Sequence, residues 1–134
     1  MISLFVLCGS PGSGKTTLSK ELSKKQDAVR FSFDELQCFQ HKELIPYVTN
    51  ALQDGKNVVV DALFTRRVWR KMILEFTKDI ECQKILIFME TPLEECVRRN
   101  SQREHSLPTE VVQDIFKSIE RPSLSEGWDE IIYY

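Results

Sequence analysis

The eight residues GSPGSGKT, at positions 9–16, constrain the fold of this chain more than any other feature. They match the spacing G-x-x-x-x-G-K-[S/T] and follow the apolar run ISLFVL (2–7), which predicts a strand buried on both faces. From Lys15 to about Lys25, leucines four residues apart predict a helix. The sequence therefore begins with a strand, a glycine-rich loop and a helix.

This loop has the composition of an anion-binding site. Its glycines allow successive backbone N–H groups to point inward, and the following helix adds its positive N-terminal end. Lys15 can reach the β- and γ-phosphates of a nucleotide, and the Thr16 hydroxyl can bind Mg²⁺. A glycine-rich turn without chemistry is the alternative, but it would not need this strand–loop–helix context. The predicted nucleotide-binding residues are Gly9, Ser10, Pro11, Gly12, Ser13, Gly14, Lys15, Thr16 and Thr17.

Beyond the loop, short apolar segments alternate with helical patterns. This alternation predicts a parallel sheet with helices on both faces, and ligands then bind beyond the carboxyl ends of the strands. At 134 residues the chain has the length of one domain, residues 1–134. Strands are predicted at 28–33, 56–63, 84–90 and 129–134, and helices at 35–54 with a break or bend at Pro46, at 65–78, after a capping box at 91–94, and from Pro108.

Composition excludes several functional classes. The net charge of −2 and the pI near 5.7 give no overall basic footprint for nucleic acid. No apolar run has the length of a membrane helix and no signal peptide is visible, so we expect no membrane partner. The cysteines form no CxxC pair and the histidines number two, which argues against zinc. We expect reduced cysteines and a cytoplasmic location; they are Cys8, Cys38, Cys82 and Cys96.

Two aspartates end predicted strands at the edge where the glycine loop lies. Asp61 ends NVVVD, where it can orient the Mg²⁺ shell, or else cap a strand-to-helix turn. Asp34, in RFSFDEL, can accept a proton from an attacking hydroxyl, or else be the N-cap of a helix over 35–41. Ala62 follows Asp61, so the second acid of a mechanical ATPase is missing. The N-K-x-D motif of guanine recognition is missing too.

The segment CVRRNSQREHSLP (96–108) carries three arginines between two helices. Guanidinium groups stabilise the charge on a transferring phosphoryl group, and a segment that closes over the site excludes water. We predict a lid at about 100–108 with Arg103 on the phosphates. The alternative is a solvated helix end, where the helix dipole favours cations. For Arg98 both interpretations stay open, and His105 is expected at the surface.

Two further patterns bear on a possible acceptor. In 65–78, five apolar residues share one helical face and four cations share the other, which could follow a nucleic-acid backbone or simply face solvent. Phe39 and Tyr47 could stack a base or pack against the sheet. The apolar set is Val68, Trp69, Met72, Ile73 and Phe76, and the cations are Arg66, Arg67, Arg70 and Lys71.

The chain resembles the polynucleotide-kinase-like P-loop kinases in five segments that occur in the same order. They are GSPGSGKTT, FDEL, VVVDALFTRRVWRKMI, VRRNSQR…LPTEVV and ERPSLSEGWDEI. That group includes phage-type 5′-hydroxyl polynucleotide kinases and seryl-tRNA kinases, and the resemblance covers nearly the whole chain. It implies a three-layer α/β/α P-loop NTPase fold with a five-stranded parallel sheet of order 2-3-1-4-5 and a short lid. It also implies catalytic roles for Lys15, for Asp34 as general base, and for Arg103 with Arg99 in support, and metal binding by Thr16 and Asp61.

Two departures separate this chain from that group. Phage-type polynucleotide kinases have an arginine three residues after the base to hold the acceptor's phosphate, and here that residue is Gln37. The Asp-Thr-Asn that often ends the third strand is Asp61-Ala62-Leu63. The resemblance therefore predicts ATP- and Mg²⁺-dependent transfer of the γ-phosphate to a hydroxyl, with the 5′-hydroxyl of a nucleic acid or nucleotide as the first acceptor class. A kinase of a small metabolite or antibiotic-like alcohol and a non-catalytic nucleotide-binding switch remain as alternatives.

Overall fold

A five-stranded parallel sheet organises the chain. The computed structural model describes residues 1–134, and the order of the strands is β2-β3-β1-β4-β5. All four neighbouring pairs run parallel. The predicted sheet and its order are thus confirmed. The strands are β1 (Ser3–Cys8), β2 (Ala28–Ser32), β3 (Asn57–Asp61), β4 (Gln83–Phe88) and β5 (Glu130–Tyr133).

Six α-helices accompany this sheet, and helices contribute apolar side chains to the cores on both of its faces. Alternate side chains of β1 enter two separate apolar cores: Leu4 and Val6 the larger, Phe5 and Leu7 the smaller. A sheet with a core on each face is the middle layer of an α/β/α sandwich. None of the helices combines the length and hydropathy needed to cross a bilayer. They are α1 (Lys15–Lys25), α2 (Phe33–Leu36), α3 (Ile45–Gln53), α4 (Arg67–Thr77), α5 (Leu93–Ser101) and α6 (Thr109–Lys117), with 3₁₀ turns at His41–Leu44 and Leu124–Glu126.

The segment after β2 differs from its prediction. The segment contains two short helices, as one of the two predicted alternatives had it, but it is divided before Pro46: the single turn α2 is followed by a loop, a 3₁₀ turn and then α3. Gln37 adopts a left-handed conformation (φ 55°) that ends α2, and Pro46 lies in the first turn of α3, where its missing N–H is tolerated. The N-cap of α2 is Ser32, whose Oγ accepts the Glu35 N–H at 3.2 Å. The alternative of Asp34 as N-cap is therefore wrong.

The start of α5 also differs from its prediction. The capping box expected at 91–94 is not formed, because Pro92 occupies the N-cap position and offers no side-chain acceptor. Thr91 instead donates its hydroxyl to the carbonyl of Ser13 in the glycine loop, at 2.7 Å. The threonine thus connects the β4–α5 junction to the loop.

The faces of α4 are not those that the sequence pattern indicated. Arg70 is fully buried, whereas Val68 and Phe76 are 64% and 60% exposed. The Arg70 guanidinium forms two parallel bonds of 2.9 Å with the carboxylate of Glu126. It also donates to the carbonyls of Phe64 at 2.9 Å and of Glu120 at 2.8 Å. Burial of this cation is tolerated because its donors meet acceptors.

Two other cations of the predicted basic face also have carboxylate partners. Arg66 Nε lies 3.0 Å from Glu120 Oε1, and Arg67 Nε lies 3.6 Å from Glu126 Oε2. Lys71 is the one cation of the predicted basic face without a carboxylate partner. The surface that could have followed a nucleic-acid backbone is therefore largely neutralised by glutamates of the same chain.

We expect Arg70→Ala to lower the free energy of unfolding by about 3 kcal/mol or more, because it leaves the largely buried Glu126 carboxylate without its guanidinium. Urea unfolding followed by circular dichroism measures this loss. The control is Lys71→Ala on the same helix, which should change the value by no more than about 0.5 kcal/mol. Equal small effects of both substitutions would contradict the role of Arg70.

Candidate nucleotide-binding and phosphotransfer site

The glycine loop is shaped by the close approach of α5. Gly12 has a φ of 81°, and a Cβ at this position would lie 2.2 Å from the carbonyl oxygen of Cys96. Ser10 Oγ donates to Cys96 Sγ at 3.2 Å. Gly14 (φ 100°) is the N-cap of α1, and no side chain caps that helix or places an acid in its first turn. The first N–H groups of α1 are thus left available for an anion.

Lys15 lies inside the loop. It is buried, and its Nζ donates to the carbonyls of Gly9 at 2.9 Å and Ser10 at 3.0 Å. Burial lowers the pKa of Lys15 to about 8, against an opposing effect of the Asp61 carboxylate. The ammonium is therefore protonated at neutral pH and is held at the loop by two carbonyls.

A basic pocket of about 230 Å³ opens beside the loop. It brings together the predicted phosphate loop, the predicted lid arginine Arg103 and its predicted support Arg99, although the loop and the arginines lie far apart in sequence. Its lining includes no apolar residue, and its backbone N–H groups, ammonium and guanidinium groups are the donors that phosphate oxygens require. The lining residues are Gly12, Gly14, Lys15, Thr16, Thr17, Arg99 and Arg103.

A second pocket of about 490 Å³ adjoins the first and shares Gly14, Thr17 and Arg99 with it. Its volume is in the range of small-molecule sites. Sequence reasoning missed this pocket, because its residues come from the ends of several elements and share no motif. Its other lining residues are Ser13, Leu18, Glu21, Met89, Glu90, Thr91, Pro92, Glu95 and Tyr134.

Arg99 lies between the two pockets. Its Nη1 donates to the carbonyl of Ser13 at 3.2 Å, and its Nε donates to Glu95 at 2.9 Å. Glu95 also pairs with Arg98, and the hydrogen bond from Arg98 is the main cause that lowers the Glu95 pKa to about 2. Arg98 lines neither pocket, which decides the open alternative in favour of a surface ion pair.

The predicted lid segment begins at a buried asparagine that sequence reasoning did not select. Asn100 Nδ2 donates to the Leu107 carbonyl at 2.8 Å, and its Oδ1 accepts the Leu107 N–H at 3.1 Å. These two bonds close the loop between α5 and α6 at its base. The residues between them, including Arg103 and His105, are exposed.

Asp61 contacts α1 one turn after Thr16. Its Oδ2 accepts from Arg30 Nη2 at 2.5 Å. The single proton of the Ser19 hydroxyl has two acceptors within reach, Asp61 Oδ2 at 3.0 Å and the Thr16 carbonyl at 2.9 Å. Oδ1 makes no hydrogen bond within the protein. Arg30 was missed by sequence reasoning; its only signal was a lone charge inside an otherwise apolar strand.

These residues fit a magnesium ion held jointly with phosphates. Mg²⁺ prefers oxygen ligands and in nucleotide sites takes one or two protein oxygens, with substrate phosphates and water completing its shell. The Thr16 hydroxyl is exposed, and Asp61 offers one oxygen without a partner. No group of three or more His, Cys, Asp or Glu side chains gathers as a metal cage. Thr16 and Asp61 could hold Mg²⁺ in this way.

Asp34 lies in the first turn of α2, directly beyond the carboxyl end of β2. It is exposed, and its carboxylate makes no hydrogen bond or ion pair. The structure places it next to the end of β3, since Ser32 pairs with Asp61, but it lines neither pocket. Nearby, Tyr47 packs against Phe31 with ring centroids 5.8 Å apart, whereas Phe39 is 89% exposed.

A protein-family model described as an AAA domain matches residues 4–122. The chain belongs to this AAA domain family. The matched span begins in β1, before the glycine loop, and ends beyond α6, so it contains both pockets except Tyr134.

Known proteins similar to this AAA-domain chain include kinases and Kti12 proteins. The L-seryl-tRNA(Sec) kinase of Methanococcus maripaludis is 25% identical over 94% of this chain and 56% of that protein. Protein kti12 of Schizosaccharomyces pombe is 22% identical over 97% of this chain and 56% of that protein. The chain spans about half the length of these curated relatives. The fold also matches the crystal structure of Chaetomium thermophilum Kti12 in complex with ADP-AlF3, with a TM-score of 0.78, 16% identity and coverage of 98% of this chain and 88% of that one.

These comparisons support the P-loop kinase and Kti12-like group. The seryl-tRNA kinase branch of the resemblance has a counterpart among the relatives, but none of these three proteins is a phage-type polynucleotide kinase. The reaction class implied by the sequence is thus supported more strongly than the particular acceptor.

We expect Gly12→Ala to weaken binding of ADP by at least about tenfold, or about 1.4 kcal/mol, because the new Cβ collides with the α5 backbone and displaces the loop. Isothermal titration calorimetry measures the affinity. Gly55→Ala is the matched control, since Gly55 has nearly the same φ (79°) but nothing within 4 Å of the added Cβ. It should cost about 1–2 kcal/mol of stability and leave the affinity unchanged.

The affinity for ATP should depend on the charge of Lys15. The protonated ammonium attracts the triphosphate, so the affinity is full at pH 7 and falls above the pKa of about 8, by about tenfold per pH unit. Binding above this pH takes up a proton, since the phosphates favour the charged form. Fluorescence titration from pH 6.5 to 9.5 measures the profile. Lys15→Met should remove it and Lys20→Met, at an exposed position of α1, should keep it; a profile unchanged in Lys15→Met would assign it to another group.

Proposed function

We propose that this chain is a Mg²⁺-dependent kinase that transfers the γ-phosphate of ATP to a hydroxyl group. The observation that carries the proposal is the basic pocket in which the glycine loop, Lys15, Arg99 and Arg103 meet. A nucleoside-sized pocket adjoins it, so the triphosphate chain and the nucleoside each have a place of suitable volume and charge. We further propose one kinase domain, residues 1–134, with a lid at about 100–108.

In this proposal the charged groups neutralise the phosphates. Lys15 and Arg103 contact the β- and γ-phosphate oxygens, and Arg99 supports the lid from its position on the loop. Thr16 and Asp61 would hold Mg²⁺, and the ion would neutralise phosphate charge there. Closure of the segment that Asn100 ties at its base would bring Arg103 over the phosphates and exclude water.

The exposed Asp34 carboxylate is the proposed general base. The acceptor oxygen attacks the γ-phosphorus in line, its proton passes to Asp34, and the bond to the β–γ bridging oxygen breaks to release ADP. The absence of any partner on Asp34 supports this role, because its oxygens are free to accept the proton.

We propose a primary alcohol as the acceptor, with the 5′-hydroxyl of a nucleic acid or nucleotide first. The relative named L-seryl-tRNA(Sec) kinase supports an acceptor carried by nucleic acid. A small metabolite or antibiotic-like alcohol is the second class, favoured by Gln37 and by the pairing of Arg66, Arg67 and Arg70 with glutamates of the chain.

A nucleotide-dependent switch is the non-catalytic alternative. The 22% identity to protein kti12, whose name states no kinase activity, allows this second candidate. The affinity of a switch for its protein partner would depend on which nucleotide is bound, and this function would not need Asp34. The four free cysteines fit a reducing compartment, and we propose a cytoplasmic location.

Phosphate transfer is measured with γ-labelled ATP, Mg²⁺ and three acceptors in parallel: a 5′-hydroxyl oligonucleotide, seryl-tRNA and a panel of small primary alcohols. We expect Asp34→Asn to lower kcat by about 10²- to 10⁴-fold and to spare the affinity for ATP. The control is Asp54→Asn, an exposed aspartate after α3, which should retain full activity. Label on the oligonucleotide selects a 5′-hydroxyl acceptor, label on the seryl group of the tRNA selects an alcohol carried by nucleic acid, and label on a small alcohol selects the second class.

Two results would contradict the proposal, one against kinase activity and one against Asp34 as the general base. One is tight ATP binding with no labelled product from any acceptor, and the other is transfer that Asp34→Asn leaves unchanged. The first would favour the switch, and the second would assign the proton to another group.

A further inference from the structure

Arg30 joins three elements of the site through one guanidinium group. It lies on β2, where its Nε donates to Ser19 Oγ of α1 at 2.7 Å. Its Nη2 pairs with Asp61 at the end of β3 and its Nη1 pairs with Glu35 of α2, both at 2.5 Å. The Arg30 side chain is only 10% exposed. One planar group thus connects the helix of the glycine loop, the proposed metal ligand and the turn that carries Asp34.

The three bonds differ in strength. The Ser19 and Asp61 contacts are largely buried, and charge-assisted bonds in such surroundings are strong and poorly screened. Glu35 is 57% exposed, so its pair with Arg30 is weaker in isolation. The buried contacts with Ser19 and Asp61 hold the guanidinium in place, and the exposed contact with Glu35 connects it to α2.

The turn α2 needs such an anchor. A helix of four residues has too few internal hydrogen bonds to be stable alone. Phe33 and Leu36 attach it to the larger apolar core, and Ser32 caps it. Glu35, next to Asp34 in the chain, is the residue of α2 that attaches it through an ion pair to the phosphate-loop side.

We propose that Arg30 is a positioning residue that holds the turn carrying Asp34 at a fixed place relative to α1 and Asp61. This inference rests on the proposed function for its effect on catalysis. A displacement of about 1 Å in a reacting group can lower a rate by about 100-fold, so a link of this kind matters more for kcat than for nucleotide affinity. Lysine cannot replace Arg30, because an ammonium lacks the planar fork that reaches three acceptors.

The test compares Glu35→Gln and Arg30→Gln with the control Lys78→Gln, which breaks an exposed ion pair with Glu75 at the far end of α4. Glu35→Gln keeps the pair between Arg30 and Asp61, so it remains informative even if Arg30→Gln impairs folding. Hydrogen–deuterium exchange of peptides covering 33–38 and 15–25 reports the position of α2 and the integrity of α1 without any acceptor. Steady-state kinetics then separates kcat from the KM for ATP.

We expect Glu35→Gln to raise exchange in 33–38 but not in 15–25, to lower kcat by about 10- to 100-fold, and to leave the KM for ATP within about twofold. Arg30→Gln should do the same to 33–38, and Arg30→Lys should not restore kcat. The double substitution should lower kcat no further than Arg30→Gln alone, because both changes break one link.

Unchanged exchange in 33–38 for both variants would overturn the inference, as would raised exchange with an unchanged kcat. If the unsubstituted protein transfers phosphate to no acceptor, the proposed function fails. The exchange experiment still decides in that case whether Arg30 fixes α2.

Discussion

The close contact between the glycine loop and α5 is the constraint on which the rest of the site depends. Only a residue without a side chain fits at Gly12, because the Cys96 carbonyl occupies the place of a Cβ. This contact, with the bonds from Ser10, Thr91 and Arg99, fixes the first turns of α5 against the loop. Since Arg99 and Arg103 follow on the same helix and its extension, the basic pocket receives its arginines as a consequence of backbone packing.

Buried arginines organise the two halves of the structure. Arg30 joins β2 to the ends of β3 and α1, and Arg70 joins α4 to the segment before β5. Each has a carboxylate partner on another element, and each also donates to a hydroxyl or carbonyl oxygen. Burying a guanidinium is unfavourable unless its donors are met, so these residues require particular partners at particular places. The same pairing removes these two cations from the surface.

Much of the fold was predictable because it depends on local patterns. Apolar runs of strand length and the helical spacing of Leu18 and Leu22 are short-range signals, and right-handed crossovers leave few arrangements of alternating strands and helices. Errors arose where a distant partner decided the outcome. Arg70 belonged to a regular basic stripe, and nothing local indicates that Glu126, 56 positions later, lies beside it. Similarly, Thr91 had the spacing of a cap but donates to Ser13.

The sequence by itself determined the glycine loop and the alternation of strands and helices that gives a parallel sheet, because both follow from residue types at short spacings. The chemical class of the proposed reaction came from the resemblance to P-loop kinases. Tertiary structure decided which side chains meet. It placed Arg99 and Arg103 beside the loop, assigned Arg98 to a surface pair, gave Asp61 the guanidinium of Arg30, and closed the segment between α5 and α6 with Asn100. These outcomes depend on how β4, α5 and β2 pack around the loop. Packing brings together residues that are distant along the chain, and the periodicity within a single segment does not predict such contacts.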